Sequence, residues 1–155
     1  MKYKKFDYYI FIDFSENLIG YNIISNEKMS ELLSKISKFA HYTKLRHKKE
    51  YLKSIKKRIE KDKILSYFLR FKIKELYSNA DIYADILDFV KKHENCIIFI
   101  SIDNRQYKAF NKLVGFVYGK KVVVKKESEL VKGTPEYQAS LVLDTLLNIE
   151  RNKQK

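Results

Sequence analysis

Acidic residues at the ends of apolar runs are the feature of this sequence best suited to chemistry. Asp13 directly follows the apolar run 8–12. Asp103 lies three positions after the end of the apolar run 96–100. A carboxylate at the carboxyl edge of a sheet avoids burial among apolar side chains. Two carboxylates held side by side repel each other unless a cation lies between them, and their oxygen atoms suit Mg²⁺ or Mn²⁺. The pattern predicts a divalent-cation site where these two strands meet.

Other common catalytic and cofactor-binding patterns are absent from the sequence. The four glycines form neither a dinucleotide-binding fingerprint nor a P-loop. The three histidines and Cys96 lack zinc-binding spacing, and Cys96 stands in an apolar run that favours a core position. Nucleotide-binding enzymes of those two types and zinc enzymes are therefore not expected.

The charge of the chain indicates the kind of partner it binds. Its 155 residues include 32 Lys and Arg against 19 Asp and Glu, a formal net charge of +13. Such an excess attracts polyanions, so nucleic acid is the expected partner. The apolar runs are far shorter than the ~20 residues of a membrane-spanning helix, no signal-type segment is present, and one cysteine cannot close an internal disulfide. We expect a soluble, cytoplasmic protein without a membrane partner.

The hydrophobic pattern predicts the elements that would hold the two acids. The predicted strands cover residues 7–13, 18–25, 65–73, 96–102 and 121–125, and the predicted helices cover 26–42, 44–63, 79–93, 106–114 and a last segment from 134. Gly20 in the second strand indicates a close backbone approach. The order predicts one α/β domain over residues 1–155, with an antiparallel start to its sheet.

Residues 26–63 are predicted to be a helical, basic insertion between the second and third strands. Within 44–63, ten Lys and Arg residues outnumber Glu50, Glu60 and Asp62 and surround a thin apolar stripe. This composition favours a phosphate-binding arm with salt-dependent affinity, although a solvated helix or a protein-docking element has the same pattern. Binding to a membrane surface is a weaker alternative, because the stripe contains neither Trp nor Phe.

Four short motifs, taken in order, resemble type 1 ribonuclease H. Residues 12–15 (Ile-Asp-Phe-Ser) and the strand containing Gly20 are similar to that family's first hairpin, where Asp-Gly-Ser ends a strand. Residues 78–84 resemble its Asn-x-x-Glu-Leu-x-Ala helix start, with Asp81 in place of Glu. Residues 100–107 are similar to its strand end Thr-Asp-Ser-Gln-Tyr, and residues 131–134 with Asp144 resemble its Lys-Gly-His loop and final Asp.

The resemblance implies a fold, an activity and a set of site residues. The fold would be a ribonuclease-H-like mixed five-stranded sheet flanked by helices, and the activity would be two-metal hydrolysis of the RNA strand of RNA/DNA hybrids. The implied catalytic residues and ligands of Mg²⁺ or Mn²⁺ are Asp13, Asp81, Asp103 and Asp144. The expected nucleic-acid contacts are Ser15, Asn17, Asn79, Arg105 and Gln106, together with Lys48, Lys49, Lys53, Lys56, Lys57 and Arg58 of the insertion.

Two alternatives stay open at the level of sequence. Phe14 stands where the family has Gly, Asp81 is one methylene shorter than Glu, and Thr134 replaces a mobile His. These departures favour a catalytically degenerate module that binds nucleic acid or a protein. A PIN-type ribonuclease also has strand-end acids like Asp13 and Asp103, but the Gly20 hairpin and the extra C-terminal helix argue against it.

Overall fold

The computed structural model describes residues 6–101, 104–118 and 122–153, which form a five-stranded sheet with helices on both faces. The strands are Tyr8–Ser15 (β1), Leu18–Ser25 (β2), Arg70–Glu75 (β3), Cys96–Ile100 (β4) and Val122–Lys126 (β5). Their order across the sheet is β3-β2-β1-β4-β5. β1 and β3 both run antiparallel to β2, whereas β1, β4 and β5 run parallel to one another. The predicted mixed sheet with an antiparallel start is confirmed.

The three parallel strands bring their carboxyl ends to one edge of the sheet. Residues that end or follow β1, β4 and β5 are therefore neighbours in space. Asp13 lies near the end of β1, and Glu127 directly follows β5. Ser101 directly follows β4, and its N–H donates to the Ile12 carbonyl at 3.0 Å, which continues the β1–β4 pairing. This edge positions the candidate site.

Five helices cover the two faces of the sheet. They are Asn26–Leu32 (α1), Lys48–Lys61 (α2), Asn79–Lys92 (α3), Asn104–Tyr118 (α4) and Pro135–Lys153 (α5). α1, α2 and α5 pack on the face that carries Tyr9 and Phe11, and α3 and α4 pack on the face that carries Ile10 and Ile12. Because side chains alternate along a strand, Asp13 lies on the same face as α5. None of the described helices is long and apolar enough to cross a membrane.

α5 lies unusually close to β2 because Gly20 has no side chain. A Cβ at Gly20 would stand 3.1 Å from Leu147 Cδ2 and 3.2 Å from Leu143 Cδ1. On its other side α5 is covered by the insertion, so residues 139–148 are buried all around the helix. Its polar residues are therefore buried as well, and Asp144 is among them.

The insertion differs from the two continuous helices that the sequence predicts. α1 ends at Leu32, apart from a short 3-10 turn, and α2 begins at Lys48 rather than at residue 44. Between them, the Gln138 side-chain amide donates to the carbonyls of Ile36 at 2.6 Å and Phe39 at 2.9 Å. These long-range bonds replace helical ones and hold an irregular segment against α5.

The third strand begins later than predicted. Residues Ile64–Tyr67 form a 3-10 turn in place of a strand start, and the Ser66 hydroxyl donates to the Lys63 carbonyl at 2.6 Å. Pairing with β2 starts only where the Leu69 N–H donates to the Ile23 carbonyl at 2.8 Å. The apolar alternation of residues 65–69 therefore belongs to a turn, and only its later part enters the sheet.

Asn22 is buried in β2 with both polar side-chain atoms unpaired among the described residues. A buried amide without a partner costs about 1–3 kcal/mol. Asn22→Leu has a similar volume and removes both atoms, so we expect it to raise the free energy of unfolding by about 1–2 kcal/mol in urea titrations. Asn17→Leu, at the exposed hairpin turn, is the control and should change the value little. If Asn22→Leu instead lowers the free energy of unfolding, the side chain of Asn22 has a hydrogen-bond partner in the folded protein.

Candidate active site

Asp13 is a buried acid at the carboxyl edge of the sheet. Only 8% of the residue is exposed, and its Oδ1 accepts the Phe14 N–H at 2.8 Å. Burial, followed by the negative charges of Glu127 and Asp144, raises the pKa of Asp13 well above its usual range, and hydrogen bonds from Phe14 and Ser101 oppose that rise. Ionisation of Asp13 near neutral pH therefore calls for a compensating positive charge.

Glu127 is a second acid at this edge, and the sequence analysis did not identify it. It opens the 3-10 turn Glu127–Glu129 that directly follows β5. Burial and the charge of Asp144 raise its pKa, whereas a hydrogen bond from Ser101 and the charge of His41 lower it. Ser101 therefore interacts with both Asp13 and Glu127. The available signal was the position of Glu127 after a predicted parallel strand, which is the argument that identified Asp13.

Asp144 reaches the same place from α5. Its Oδ2 accepts the Tyr42 N–H at 2.9 Å, and Asn148, one turn further along α5, donates to the Asp144 carbonyl at 2.8 Å. Burial raises the pKa of Asp144, and the Tyr42 N–H and the charges of His41 and Arg151 oppose this rise. Only 8% of Asp144 is exposed, so its carboxylate is buried beneath the insertion rather than solvated on the polar side of its helix.

The insertion is attached to the site by specific contacts. The ring of Tyr42 contacts two cations, with Lys48 Nζ at 5.3 Å and Arg151 Cζ at 5.5 Å from the ring centroid. The Tyr51 hydroxyl lies 2.9 Å from the Thr145 hydroxyl on α5. The insertion therefore supplies one wall of the site and holds Asp144 through the backbone of Tyr42.

A cavity of about 380 Å³ joins these residues, and we call it the acid cavity. It is lined by Asp13, Glu127 and Asp144, with Ser101, His41, Lys48 and Arg151 among its other walls. The Arg151 guanidinium is shared, because Nη1 donates to Glu16 at 2.9 Å and Nη2 to Asn148 at 2.7 Å. Glu16 also lines the cavity, so four acidic side chains lie around it within a strongly basic protein, and Glu16 is paired with Arg151.

The structure does not bring Asp81 to the acid cavity, although the resemblance implies that it converges there with the other acids. Asp81 is in the first turn of α3, its side chain is 62% exposed, and it accepts a hydrogen bond from Lys74 Nζ at 3.1 Å. α3 covers the face opposite α5, and Lys74 belongs to the edge strand β3, so Asp81 does not line the acid cavity. Asp85, one turn further along α3, accepts a hydrogen bond from Lys72 Nζ at 2.7 Å. Asn79 begins α3 and lies on that opposite face too.

The remaining predicted residues have different positions. Ser15 lines the acid cavity, and its hydroxyl donates to Asn148 at 3.4 Å. Asn17 donates to Glu75 at 3.0 Å on the other side of the hairpin, and Arg105 is exposed in the first turn of α4. Asp103 and the side chain of Gln106 lie outside the described residues.

The basic residues of α2 form an exposed surface beside the acid cavity. Lys48 lines the cavity itself. The other predicted residues of this helix are exposed to solvent, namely Lys49, Lys53, Lys56, Lys57 and Arg58. The buried face of α2, with Ile55 and Ile59, packs into the core below α5. Positive charge and acidic cavity therefore lie on the same side of the molecule.

The side chains around the acid cavity fit a hard divalent cation by their chemistry. Carboxylate oxygens are the ligands that Mg²⁺ and Mn²⁺ prefer, and a cation would relieve the repulsion that raises the pKa values of Asp13 and Glu127. Among the described residues, no three His, Cys, Asp or Glu side chains stand close enough together to form a ready-made metal site. The carboxylate oxygens are therefore suitable ligands for such a metal, but the described residues by themselves do not form a complete set of ligands.

Comparison with known proteins supports the fold. No family model matches the chain, and no curated protein sequence matches it. Among solved structures, it is similar to the ribonuclease H2 from Pyrococcus horikoshii OT3, with a TM-score of 0.56 and 11% identity, over 94% of this chain and 72% of that one. A ribonuclease HII from Archaeoglobus fulgidus, solved in a complex with PCNA, gives a TM-score of 0.49 and 14% identity over the same shares.

This likeness confirms the predicted ribonuclease-H-like fold. The similar structure with a TM-score of 0.56 is a ribonuclease H2, a type 2 protein, so the narrower resemblance to type 1 is not supported. At 11% identity the likeness applies to the fold alone, and the chemistry of this chain must be argued from its own residues.

Proposed function

We propose that this chain, which has a ribonuclease-H-like fold, is a metal-dependent nuclease that hydrolyses the RNA strand of RNA/DNA hybrids. The observation that supports this proposal is the convergence of Asp13, Glu127 and Asp144 on one cavity of a protein with a net charge of +13. A structural role explains such a group poorly, because buried like charges destabilise the fold unless a cation accompanies them.

The proposed metal ligands come from different elements of the fold. Asp13 and Glu127 come from the ends of two parallel strands, and Asp144 comes from the helix that covers them. Together with Asp103, which the sequence places after a third strand, they are the proposed ligands of Mg²⁺ or Mn²⁺. Such ions, when bound, lower the pKa of a water molecule and stabilise the charge on the leaving oxygen. Two ions sharing these ligands are the proposed arrangement.

The chain's own groups fix the positions of these acids. The Tyr42 N–H holds one oxygen of Asp144, the Phe14 N–H holds Asp13, and Ser101 interacts with both strand-end acids. In the proposed reaction the oxygen of water bonds to phosphorus and the bond to the 3′ oxygen breaks. The products are a 3′-hydroxyl and a 5′-phosphate. Preorganised acids reduce the rearrangement that this step requires.

The basic surface of α2 is the proposed binding site for the phosphate backbone. An A-form-like hybrid is recognised through its shape, its phosphates and its 2′-hydroxyls rather than through its base sequence. Lys48 connects the exposed lysines of α2 with the acid cavity, so a strand bound along α2 would lead into that cavity. The phosphate-binding role predicted for residues 44–63 of the insertion is retained here as a proposal.

Replacing the exposed lysines of α2 should weaken binding and reduce its dependence on salt. We expect Lys49→Ala, Lys53→Ala and Lys56→Ala, combined, to lower the slope of log affinity against log salt concentration by up to about 0.9 for each phosphate that is no longer neutralised. Fluorescence anisotropy with a labelled hybrid at several salt concentrations measures this slope. Lys91→Ala and Lys92→Ala, on exposed positions of α3, are the matched control. An unchanged slope would mean that the phosphate backbone binds elsewhere on the protein.

The activity itself is tested by cleavage of labelled RNA/DNA hybrid, single-stranded RNA, duplex RNA and duplex DNA with Mg²⁺, Mn²⁺ or EDTA. The proposal expects cleavage of the hybrid that needs the metal and is lost in Asp103→Asn. Cleavage that continues in EDTA would overturn the metal-dependent mechanism. If duplex DNA is the only substrate that is cleaved, the proposal that the substrate is an RNA/DNA hybrid is wrong.

A second candidate function is a non-catalytic module that binds nucleic acid on the same fold. The observation that favours it is that the described residues contain no complete group of metal-ligating side chains. It predicts salt-sensitive binding to hybrid in both the wild type and Asp103→Asn, with no cleavage under any of these conditions. The same assay therefore separates the two functions.

A further inference from the structure

A second, larger cavity lies next to the acid cavity, with a volume of about 610 Å³. The two cavities share three lining residues, His41, Ser101 and Glu127. A molecule in the larger cavity would therefore stand beside the proposed reacting phosphate. We call this larger space the side cavity.

The walls of the side cavity combine an apolar surface with a positively charged rim. Ile100, Leu130 and Leu141 form part of its apolar surface, and the half-buried ring of Tyr137 lies among them. Lys44 and Lys132 are exposed at the same cavity, and neither forms an ion pair with a described residue. An aromatic and aliphatic wall suits a flat ring, and free lysines suit phosphate.

We propose that the side cavity binds one unpaired nucleotide of the nucleic-acid substrate, adjacent to the bond that is cleaved. The base contacts Tyr137 and the neighbouring leucines, and Lys44 and Lys132 contact the flanking phosphates. This inference rests on the proposed function, and it adds a preference for hybrids that carry an unpaired nucleotide next to the cut.

The size and position of the side cavity favour an unpaired nucleotide over a paired one. A volume of about 610 Å³ lies within the range of about 300–1,000 Å³ typical of pockets for small molecules. A base within a duplex is stacked and paired, so it can enter a side pocket only after it leaves the stack. This step is easiest for a base that is already unpaired. Continuity with the acid cavity favours a nucleotide of the substrate strand over a separate small molecule.

Binding measurements in EDTA test this inference independently of cleavage. The ligands are a fully paired labelled hybrid, the same hybrid with one unpaired ribonucleotide, and the latter with an abasic residue at the unpaired position. We expect the unpaired base to strengthen binding about fivefold or more, and the abasic residue to remove this gain. Equal affinities for the unpaired and abasic ligands would overturn the inference. The comparison uses the wild-type protein, so it does not depend on the folding of a variant.

Tyr137→Ala links the effect to the cavity. This variant should bind the unpaired ligand no better than the paired one, whereas Tyr137→Phe should keep the preference. Tyr77→Ala is the matched control, because Tyr77 is 87% exposed and lines a different cavity. A preference that survives Tyr137→Ala, in a variant whose circular dichroism is unchanged, would overturn the assignment to this cavity.

The outcomes also separate this inference from the proposed function. Metal-dependent cleavage without any preference for an unpaired base would reject the side-cavity inference and leave the nuclease intact. A base-dependent preference without cleavage would reject hydrolysis and leave the nucleotide pocket intact.

Discussion

Glu127→Gln is expected to lower the rate of metal-dependent hydrolysis by more than about 100-fold, whereas Asp81→Asn should leave it within about twofold of the wild type. Glu127 lines the acid cavity with Asp13 and Asp144, and Asp81 is exposed and paired with Lys74 on the opposite face. Loss of a group that only supports a metal ligand typically costs 10–100-fold, so loss of a ligand itself should cost more.

The two substitutions form a matched pair, because each replaces one carboxylate by its amide. Gln at position 127 can still accept a hydrogen bond from Ser101, so the turn after β5 should keep its conformation. Initial rates on labelled hybrid at saturating Mg²⁺ compare the variants, and circular dichroism checks their folding. Loss of activity in Asp81→Asn together with a normal rate in Glu127→Gln would reverse our assignment and restore the set of acids inferred from sequence.

The sheet could be predicted because its signals are local. β1, β2, β4 and β5 are apolar or β-branched runs, and their predicted and observed limits agree within two residues. The close approach expected at Gly20 was also correct, since α5 occupies the space that a side chain would need. By contrast, residues 65–69 alternate like a strand but form a turn, because only the later residues reach the pairing groups of β2.

The membership of the site was only partly predictable. Asp13 was identified because it follows an apolar run that predicts a strand. The same argument applied to the predicted strand 121–125 would have pointed to Glu127, which directly follows β5. Asp81 was chosen from a motif resemblance, and a motif in one helix does not specify which face of the sheet that helix covers. Here α3 lies on the face opposite α5, so the described acid cavity does not include Asp81, and its role as a ligand stays a prediction of the resemblance.

The role of the insertion depends on contacts that sequence periodicity cannot reveal. The Tyr42 N–H reaches Asp144 across 102 positions of sequence, and the Gln138 side chain reaches Ile36 across the same separation. Irregular backbone between two short helices makes these contacts, so the insertion is part of the site as well as a basic surface. Helical spacing placed Asp144 on the polar side of α5, but only the insertion converts that side into a buried one.

Asp13→Asn is expected to stabilise the metal-free protein at neutral pH while it abolishes hydrolysis. The pKa of Asp13 is raised well above its usual range, chiefly by burial and then by Glu127 and Asp144, so the folded state binds its proton more tightly than the unfolded state does. The contribution of Asp13 to stability therefore falls as pH rises from about 4, near the unfolded pKa, through the raised folded pKa. An amide cannot ionise, so the variant avoids this loss. We expect a gain of about 1 kcal/mol or more at pH 7, which corresponds to about 2–4 °C in Tm for each kcal/mol.

Asp85→Asn provides a control of opposite sign for this experiment. A hydrogen bond from Lys72 is the main cause that lowers the pKa of Asp85, so its contribution is present above about pH 4 and is lost as pH falls through the lowered folded value. Thermal unfolding in EDTA between pH 4 and pH 8 should show Asp13→Asn gaining on the wild type as pH rises. Asp85→Asn should instead stay below the wild type by a nearly constant amount over this range, and this deficit should shrink only at lower pH. If Asp13→Asn is instead destabilised at pH 7, the carboxylate of Asp13 has a cationic partner in the metal-free fold. In that case it is a structural ion-pair residue rather than a ligand that awaits its metal.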